Sequence, residues 1–178
     1  MKKKPISVLL IVFSIIYSSN LIAGDKCDKK ETINLSVFKK NDYKFYNYTC
    51  KSDKGIYLKS YIGNSKKTKF LNEYYDFAAK EDPQLLAVSI YKSKKNKQPL
   101  LITLNSAYYC CSPQMEGFVY KVNFYQIDSN NQVLLENITH IFDEKSEGFE
   151  GMAEGKVYYN YKNIASIKKW LDKNYWKS

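Results

Sequence analysis

The pattern of apolar and polar positions predicts a chain made largely of β-strands. Apolar residues, many of them tyrosine or β-branched, alternate with polar ones in several short runs, which is typical of strands with one buried face. Polar connectors at 93–98 and 128–131 suit β-hairpins. The predicted strands cover residues 33–38, 43–49, 56–62, 84–92, 99–110, 117–127, 132–142 and 156–161.

Two segments instead show the spacing of an amphipathic helix. Between residues 68 and 83, apolar positions follow one another at intervals of one, three, three and one, and Asp82-Pro83 ends the segment. Near the C terminus, Asn163 is a good N-cap, and a second apolar stripe follows it through residue 176. The stripes consist of Phe70, Leu71, Tyr74, Phe77 and Ala78 in the first segment and of Ile164, Ile167, Trp170, Leu171 and Tyr175 in the second.

Together these elements predict an α+β fold. Four of the predicted strands follow one another with short connectors between residues 84 and 142, which indicates an antiparallel meander. A helix with one apolar face needs an apolar surface to cover, and the sheet offers one. The sequence therefore predicts an antiparallel meander sheet of about six to eight strands, with one mid-chain helix and a C-terminal amphipathic helix packed on it.

The N-terminal residues, 1–24, have the composition of a secretory signal peptide. Three lysines precede an apolar run over 6–16, and small residues follow at Ala23 and Gly24. The apolar run is shorter than the roughly 20 residues that a membrane-spanning helix needs. Cleavage is expected to leave one domain, 25–178, without a transmembrane segment, in the periplasm or secreted from the cell.

All four cysteines lie in the part that is predicted to be exported, which favours disulfide bonds. The Cys-x-x-Cys spacing of redox and zinc sites is absent. In an extended strand, neighbouring side chains point to opposite faces. We therefore expect Cys110 and Cys111 to bond separately to Cys27 and Cys50, in either of two arrangements. The third arrangement, which pairs Cys27 with Cys50 and closes a ring between the two neighbours, remains the alternative.

Lysine dominates the charge of the chain. There are 28 basic residues, all of them lysine, against 18 acidic ones, which gives a net charge of +10. Arginine, whose planar fork suits phosphates and base edges, is absent, and export separates the protein from nucleic acid. We therefore interpret the lysines mainly as solvent-exposed surface residues and expect no nucleic-acid partner.

The segment 142–155 departs from this basic composition, because it has five acidic residues, one lysine, and a glycine every three or four residues. Glycine at this spacing predicts a loop. Its carboxylates could serve acid–base catalysis, could bind calcium, although the spacing differs from that of an EF-hand, or could enter a basic cleft on another protein. A solvated loop that pairs with nearby lysines is the plain alternative. We expect the protein-binding role, with further contacts from the turn 112–118. The predicted partner-binding residues are Asp143, Glu144, Glu147, Glu150, Glu154, Met115 and Phe118.

No enzyme motif accompanies these residues. His140 is the only histidine, and the sequence has no nucleophile elbow, metalloprotease helix, phosphate-binding loop or dinucleotide fingerprint. The sequence therefore predicts no cofactor and no metal. It indicates an exported binding protein of the inhibitor or immunity type, which blocks an envelope-targeted enzyme or a toxin through protein–protein contact. The alternatives are a cell-wall-polymer hydrolase that uses carboxylates of 143–154, and an envelope accessory protein that binds anionic polymer or lipid through lysines.

Overall fold

The first four strands form an antiparallel sheet in which each strand pairs with the next along the chain. We call it sheet 1. Its strands are β1 (Lys26–Asn34), β2 (Lys44–Ser52), β3 (Gly55–Gly63) and β4 (Thr68–Tyr75). The computed structural model describes residues 26–35, 43–76, 78–93, 98–112, 115–128 and 134–175. The predicted signal peptide, 1–24, lies outside these residues.

The remaining strands form a second antiparallel sheet, which we call sheet 2. Its strands are β5 (Gln84–Tyr91), β6 (Leu100–Ser112), β7 (Met115–Asp128), β8 (Leu134–Asn137), β9 (Glu147–Ala153) and β10 (Lys156–Val157). The order across the sheet is β5-β6-β7-β9-β10, and β8 pairs with the end of β7 that β9 leaves uncovered. The long strands β6 and β7 therefore carry most of the pairing in this sheet.

Two short helical segments complete the described chain. A kinked 3-10 segment, Thr139–Ser146, joins β8 to β9, and helix α1 covers Ile164–Asn174. The side chain of Asn163 accepts a hydrogen bond from the backbone N–H of Ser166 at 2.9 Å. This bond satisfies one of the unpaired amides at the start of the helix. The C-terminal helix and its N-cap are thus confirmed.

The two faces of β6 explain how the layers pack. Because side chains alternate along a strand, Leu101 and Ala107 meet residues of sheet 1, whereas Leu100, Ile102 and Leu104 meet α1 and the 3-10 segment. Sheet 2 is therefore the central layer, with sheet 1 on one side and the helical segments on the other. The helix-side core consists of Tyr91, Leu100, Ile102, Leu104, Val122, Phe124, Ile138, Phe142, Ile167, Leu171 and Tyr175.

The predicted α+β architecture is wrong, because the fold is β-rich, with two antiparallel sheets and only short helices. The helix predicted over 68–83 is absent from the described residues there: 68–75 form β4, 76 and 78–83 form no helix, and Phe77 lies outside the described residues. The helical spacing at the start of the segment comes from a β-bulge. The neighbouring β3 residues Tyr61 and Ser60 pair with Phe70 and Asn72, so Leu71 is an extra residue without a partner position on β3. Leu71 packs into the core while Phe70 faces outward, so the adjacent apolar positions imitate one face of a helix.

The acidic segment 142–155 is also not the loop that its glycines predict, because half of it forms β9 and its first five residues belong to the 3-10 segment. The glycines instead allow β9 to approach β7 closely. A Cβ atom on Gly151 would lie 2.1 Å from the carbonyl oxygen of Glu116, and one on Gly117 would lie 2.2 Å from the carbonyl oxygen of Glu150. A side chain at either position would separate the strands, so glycine serves pairing here.

The disulfide bonds follow the alternative arrangement and not the expected crossed one. Cys27 bonds to Cys50 across β1 and β2, and Cys110 bonds to its neighbour Cys111. The expected crossed pairing fails because the strand is not regular at this point. Cys111 has a φ of 66°, and the register of β6 against β7 shifts between Tyr109 and Ser112. This irregularity removes the alternation on which the prediction rested.

Buried tyrosine hydroxyls make the fold sensitive to alkali. Burial raises the pKa of Tyr125, and burial together with a hydrogen bond to Asp172 raises the pKa of Tyr91 to about 12. The unfolded chain therefore loses the tyrosine proton at a lower pH than the folded protein does. The contribution of Tyr91 to the free energy of unfolding is complete below pH 10 and is lost as the pH rises from 10 through about 12. We expect the denaturant midpoint to fall across this window, together with the appearance of tyrosinate absorbance.

Tyr125→Phe provides the control for this pH dependence. The Tyr125 hydroxyl has no hydrogen-bond partner among the described residues, so its removal should leave the stability at neutral pH unchanged or slightly raised. The variant should then lose less stability than the parent protein as the pH rises above 10. A denaturant midpoint that stays constant up to about pH 12 in both proteins would contradict this account.

Candidate functional site

The pairing of three strands gathers aromatic and acidic side chains on one part of sheet 2. Phe118 of β7 lies opposite Tyr108 of β6 and opposite Glu150 of β9. Directly opposed residues have their Cβ atoms on the same face of a sheet, and residues two positions along share that face. We call this surface the Phe118 face. Its residues are Tyr108, Glu116, Phe118, Tyr120, Glu150 and Met152.

The Phe118 face lies on the helix side of sheet 2, beyond the part that α1 covers. Helix α1 packs on the region around Leu104 and Phe124, which is buried. At the other end of the same face, the side chain of Phe118 is 40% exposed and that of Met152 is 54% exposed. Large exposed apolar side chains that lie next to one another are typical of surfaces that bind other molecules.

Ring contacts connect this exposed surface to the core. The Phe118 ring lies 5.0 Å from that of Tyr108 and 6.3 Å from that of Tyr120. Tyr120 stacks on Tyr159 at 5.6 Å, and contacts from Tyr159 through Tyr161 reach the buried Phe142. These contacts restrain the exposed rings, so they lose little conformational entropy when they bind a partner.

Both carboxylates of the Phe118 face have polar neighbours. The Tyr108 hydroxyl donates to Glu116 Oε1 at 2.9 Å, and this hydrogen bond raises the pKa of Tyr108. Lys162 Nζ donates to Glu150 Oε1, and this hydrogen bond raises the pKa of Lys162. The second oxygen of Glu150 is buried and has no hydrogen-bond partner among the described residues.

A groove of about 340 Å³ adjoins the Phe118 face. It runs between the 3-10 segment and the chain that leads from β10 to α1. Tyr159 connects it to the Phe118 face, and the Tyr159 hydroxyl holds the two walls together by donating to the carbonyl oxygen of Lys145 at 2.6 Å. We call it the Glu144 groove. The lining residues are Glu144, Lys145, Glu147, Tyr158, Tyr159, Asn160 and Tyr161.

The structure brings together some of the predicted partner-binding residues and separates others. Phe118 and Glu150 are direct neighbours across two strands, and the Glu144 groove contains two further predicted acids. Met115 lies three positions from Phe118 on the same strand, so its side chain points to the opposite face. Asp143 is exposed at the kink of the 3-10 segment, and Glu154 is exposed in the turn between β9 and β10.

Glu147 and Glu150 do not form a paired-carboxylate site. They lie three positions apart on β9, which places their side chains on opposite faces of the sheet. Glu147 instead forms an ion pair with Lys121 at 3.5 Å, and Glu150 forms one with Lys162. The hydrolase alternative requires two carboxylates on either side of one bond, and these two residues do not supply that arrangement.

Sequence reasoning missed several residues of the site. Tyr108 and Tyr120 occupy alternating apolar positions of predicted strands, and this pattern favours the core rather than an exposed surface. Glu116 precedes the predicted strand 117–127 and has no distinguishing local signal. Tyr159 lies in a segment predicted as strand, but it leaves the sheet after β10 and crosses over Gly148. Only the strand pairing brings these residues together.

Gly148 leaves the space that Tyr159 occupies. A Cβ atom at position 148 would lie 2.2 Å from the Tyr159 ring, so Gly148→Ala must displace that ring. We expect a loss of about 1–3 kcal/mol in the free energy of unfolding, measured by urea denaturation. In a Tyr159→Ala background the same substitution should cost little, because the obstructing ring is gone. Equal costs in both backgrounds would show that Tyr159 does not lie over Gly148.

Comparison with known proteins provides no relative for this chain: no family model, curated protein or solved structure matches it. Within the described ranges, no helix combines the length and the apolar character that crossing a membrane requires. The same ranges contain no group of three or more His, Cys, Asp or Glu residues that could hold a metal ion. The geometry of the Phe118 face and the Glu144 groove therefore carries the functional inference.

Proposed function

We propose that this protein is an exported binding protein of the inhibitor or immunity type, which blocks an envelope-targeted enzyme or a toxin by docking it on the Phe118 face. Export is the expectation from residues 1–24. The observation that carries the proposal is the direct opposition of Phe118, 40% exposed, and Glu150, which places an exposed aromatic ring beside a carboxylate on one face of sheet 2.

The aromatic part of the face is suited to bind a protein. Interfaces are enriched in tyrosine, phenylalanine and methionine, and a few large side chains supply most of the binding energy. Phe118 and Met152 are exposed, and the rings of Tyr108 and Tyr120 support Phe118. A partner that covers this cluster would bury apolar area on rings that already hold one another in place.

The charge of the surface indicates a basic partner. The chain carries an excess of lysine, yet two carboxylates lie on the Phe118 face and two line the adjoining Glu144 groove. These carboxylates belong to Glu116, Glu144, Glu147 and Glu150. Opposite charge steers association and determines which partners are accepted. A lysine or arginine of the partner would be attracted to the carboxylates of Glu116 and Glu150, while the lysine-rich remainder of the surface would repel a misoriented approach.

The test uses the mature protein as bait in envelope extract, with Glu150→Lys as the disrupting variant. Lys162 would then face a like charge and the partner's cation would lose its acceptor, so we expect at least about a tenfold loss of affinity. Support requires a captured basic protein that the variant does not retain. It also requires that wild-type protein, and not the variant, inhibits the activity of the captured protein.

Glu136→Lys provides the matched control for charge. Glu136 is exposed on β8, which pairs with the opposite end of β7, so this substitution makes the same change in net charge away from the Phe118 face. We expect it to retain the partner. If both variants lose the partner equally, net charge rather than the Phe118 face determines binding, and the proposal fails.

A further inference from the structure

The outer face of sheet 1 carries a second pocket, on the side of the molecule opposite to the Phe118 face. The residues of sheet 1 that pack on sheet 2 point away from this face. The pocket has a volume of about 240 Å³ and crosses all four strands of the sheet. Its lining residues are Cys27, Tyr48, Lys59, Tyr61 and Thr68. We call it the Tyr48 pocket.

Aromatic rings form the apolar part of the Tyr48 pocket. The rings of Tyr48 and Tyr61 meet edge to face at 5.6 Å, and Tyr61 meets Phe70 at the same distance and also nearly at right angles. Phe70, next to the pocket, is 47% exposed. Edge-to-face contacts keep such rings in defined orientations, and their faces carry partial negative charge that attracts polarised C–H groups.

An ion pair forms the polar part. Lys59 Nζ lies 3.0 Å from Glu73 Oε1 and donates to the Tyr57 hydroxyl at 3.4 Å. The hydrogen bond to Glu73 holds the pKa of Lys59 above its ordinary value, so the lysine stays charged and the pair has no net charge. The pair nevertheless offers N–H donors and carboxylate acceptors close together, beside the aromatic rings.

We propose that the Tyr48 pocket binds one neutral sugar ring of a glycan. A sugar ring has an apolar C–H face that packs on aromatic rings, and hydroxyl groups that both donate and accept hydrogen bonds. The neutral ion pair of Lys59 and Glu73 satisfies both functions of a hydroxyl group. An anionic ligand would find its cation already paired, and a cationic ligand would meet the Lys59 ammonium group. Pockets that enclose drug-sized ligands measure about 300–1,000 Å³, so 240 Å³ suits a single ring.

Titration of the labelled mature protein with neutral trisaccharides tests this proposal by NMR. The probes are chitotriose, cellotriose and maltotriose at concentrations of a few millimolar. We expect at least one of them to shift the amide signals of Tyr48, Lys59 and Tyr61. Tyr48→Ala should then weaken binding of that sugar at least about tenfold. Lys59→Gln, which removes the charged donor, is the second variant and should also weaken binding.

Tyr108→Ala is the control, because it removes a tyrosine from the Phe118 face and should leave sugar binding unchanged. The proposal is overturned if no trisaccharide shifts these signals, or if the shifts map to the Phe118 face. It is equally overturned if polygalacturonate shifts them while the neutral sugars do not, because an anion would then be the ligand. The result is independent of the proposed inhibitor function, because the two surfaces lie on different sheets.

Discussion

Phe142→Ala is expected to lower the free energy of unfolding by about 3–5 kcal/mol. The Phe142 side chain is fully buried, and its ring lies within 5.0 Å of the rings of Phe124, Tyr161 and Trp170. These partners belong to the sheet, to the segment before α1 and to α1 itself. Truncation leaves a cavity that all three elements line, and denaturant unfolding measures the cost.

Phe118→Ala is the matched control, because it removes the same side chain from an exposed position. It should cost about 1 kcal/mol or less, since only ring contacts with Tyr108 and Tyr120 are lost. If Phe142→Ala cost no more than Phe118→Ala, the 3-10 segment would not be a buried part of the helix-side core, and the packing described for this layer would be wrong.

The two disulfide bonds are expected to differ strongly in their contribution to stability. Cys27 and Cys50 are separated by 23 positions, so their bond restricts a substantial part of the unfolded chain. Cys27→Ser/Cys50→Ser should therefore cost about 3–4 kcal/mol. The bond between Cys110 and Cys111 spans one peptide link and restricts almost none of the chain. Cys110→Ser/Cys111→Ser should cost less than about 1 kcal/mol.

Denaturant unfolding of the two double variants distinguishes this pairing from the crossed pairing. In a crossed arrangement, each double variant would remove one of the two cysteines of each disulfide bond. Either variant would then lose the two bonds together, and the two variants would be equally destabilised. Equal losses would therefore contradict the Cys27–Cys50 and Cys110–Cys111 pairing. Peptide mapping without reductant reports the same distinction chemically.

The segments β4 and α1 show how much of the fold the pattern of apolar residues can predict. Both segments show apolar residues at helical spacing, and only the C-terminal one is a helix. That helix also has an Asn163 cap, a signal that comes from local hydrogen bonding. The spacing in β4 arises from the bulge at Leu71, which depends on pairing with β3 and has no local signal. The spacing of apolar residues alone therefore could not distinguish the strand β4 from the helix α1.

The candidate site, too, could be predicted only in part from the sequence. The acidic composition of 142–155 correctly drew attention to Glu150, but the glycines suggested a loop where a strand forms. Glycine has two physical uses, flexibility in turns and close approach of backbones. The second applies at Gly117 and Gly151, and it depends on a partner strand that is 34 positions away in the sequence. Phe118 and Glu150 meet only because that partner is present.

The central claim, that the Phe118 face contacts the partner, is tested most directly by photo-crosslinking in living cells. A photoreactive phenylalanine analogue replaces Phe118 in one variant and Glu136 in another, and crosslinked species are identified by mass spectrometry. The account predicts that position 118 crosslinks to one basic envelope enzyme or toxin and that position 136 does not. Crosslinks to such a protein from position 136 alone, or none from position 118, would contradict it.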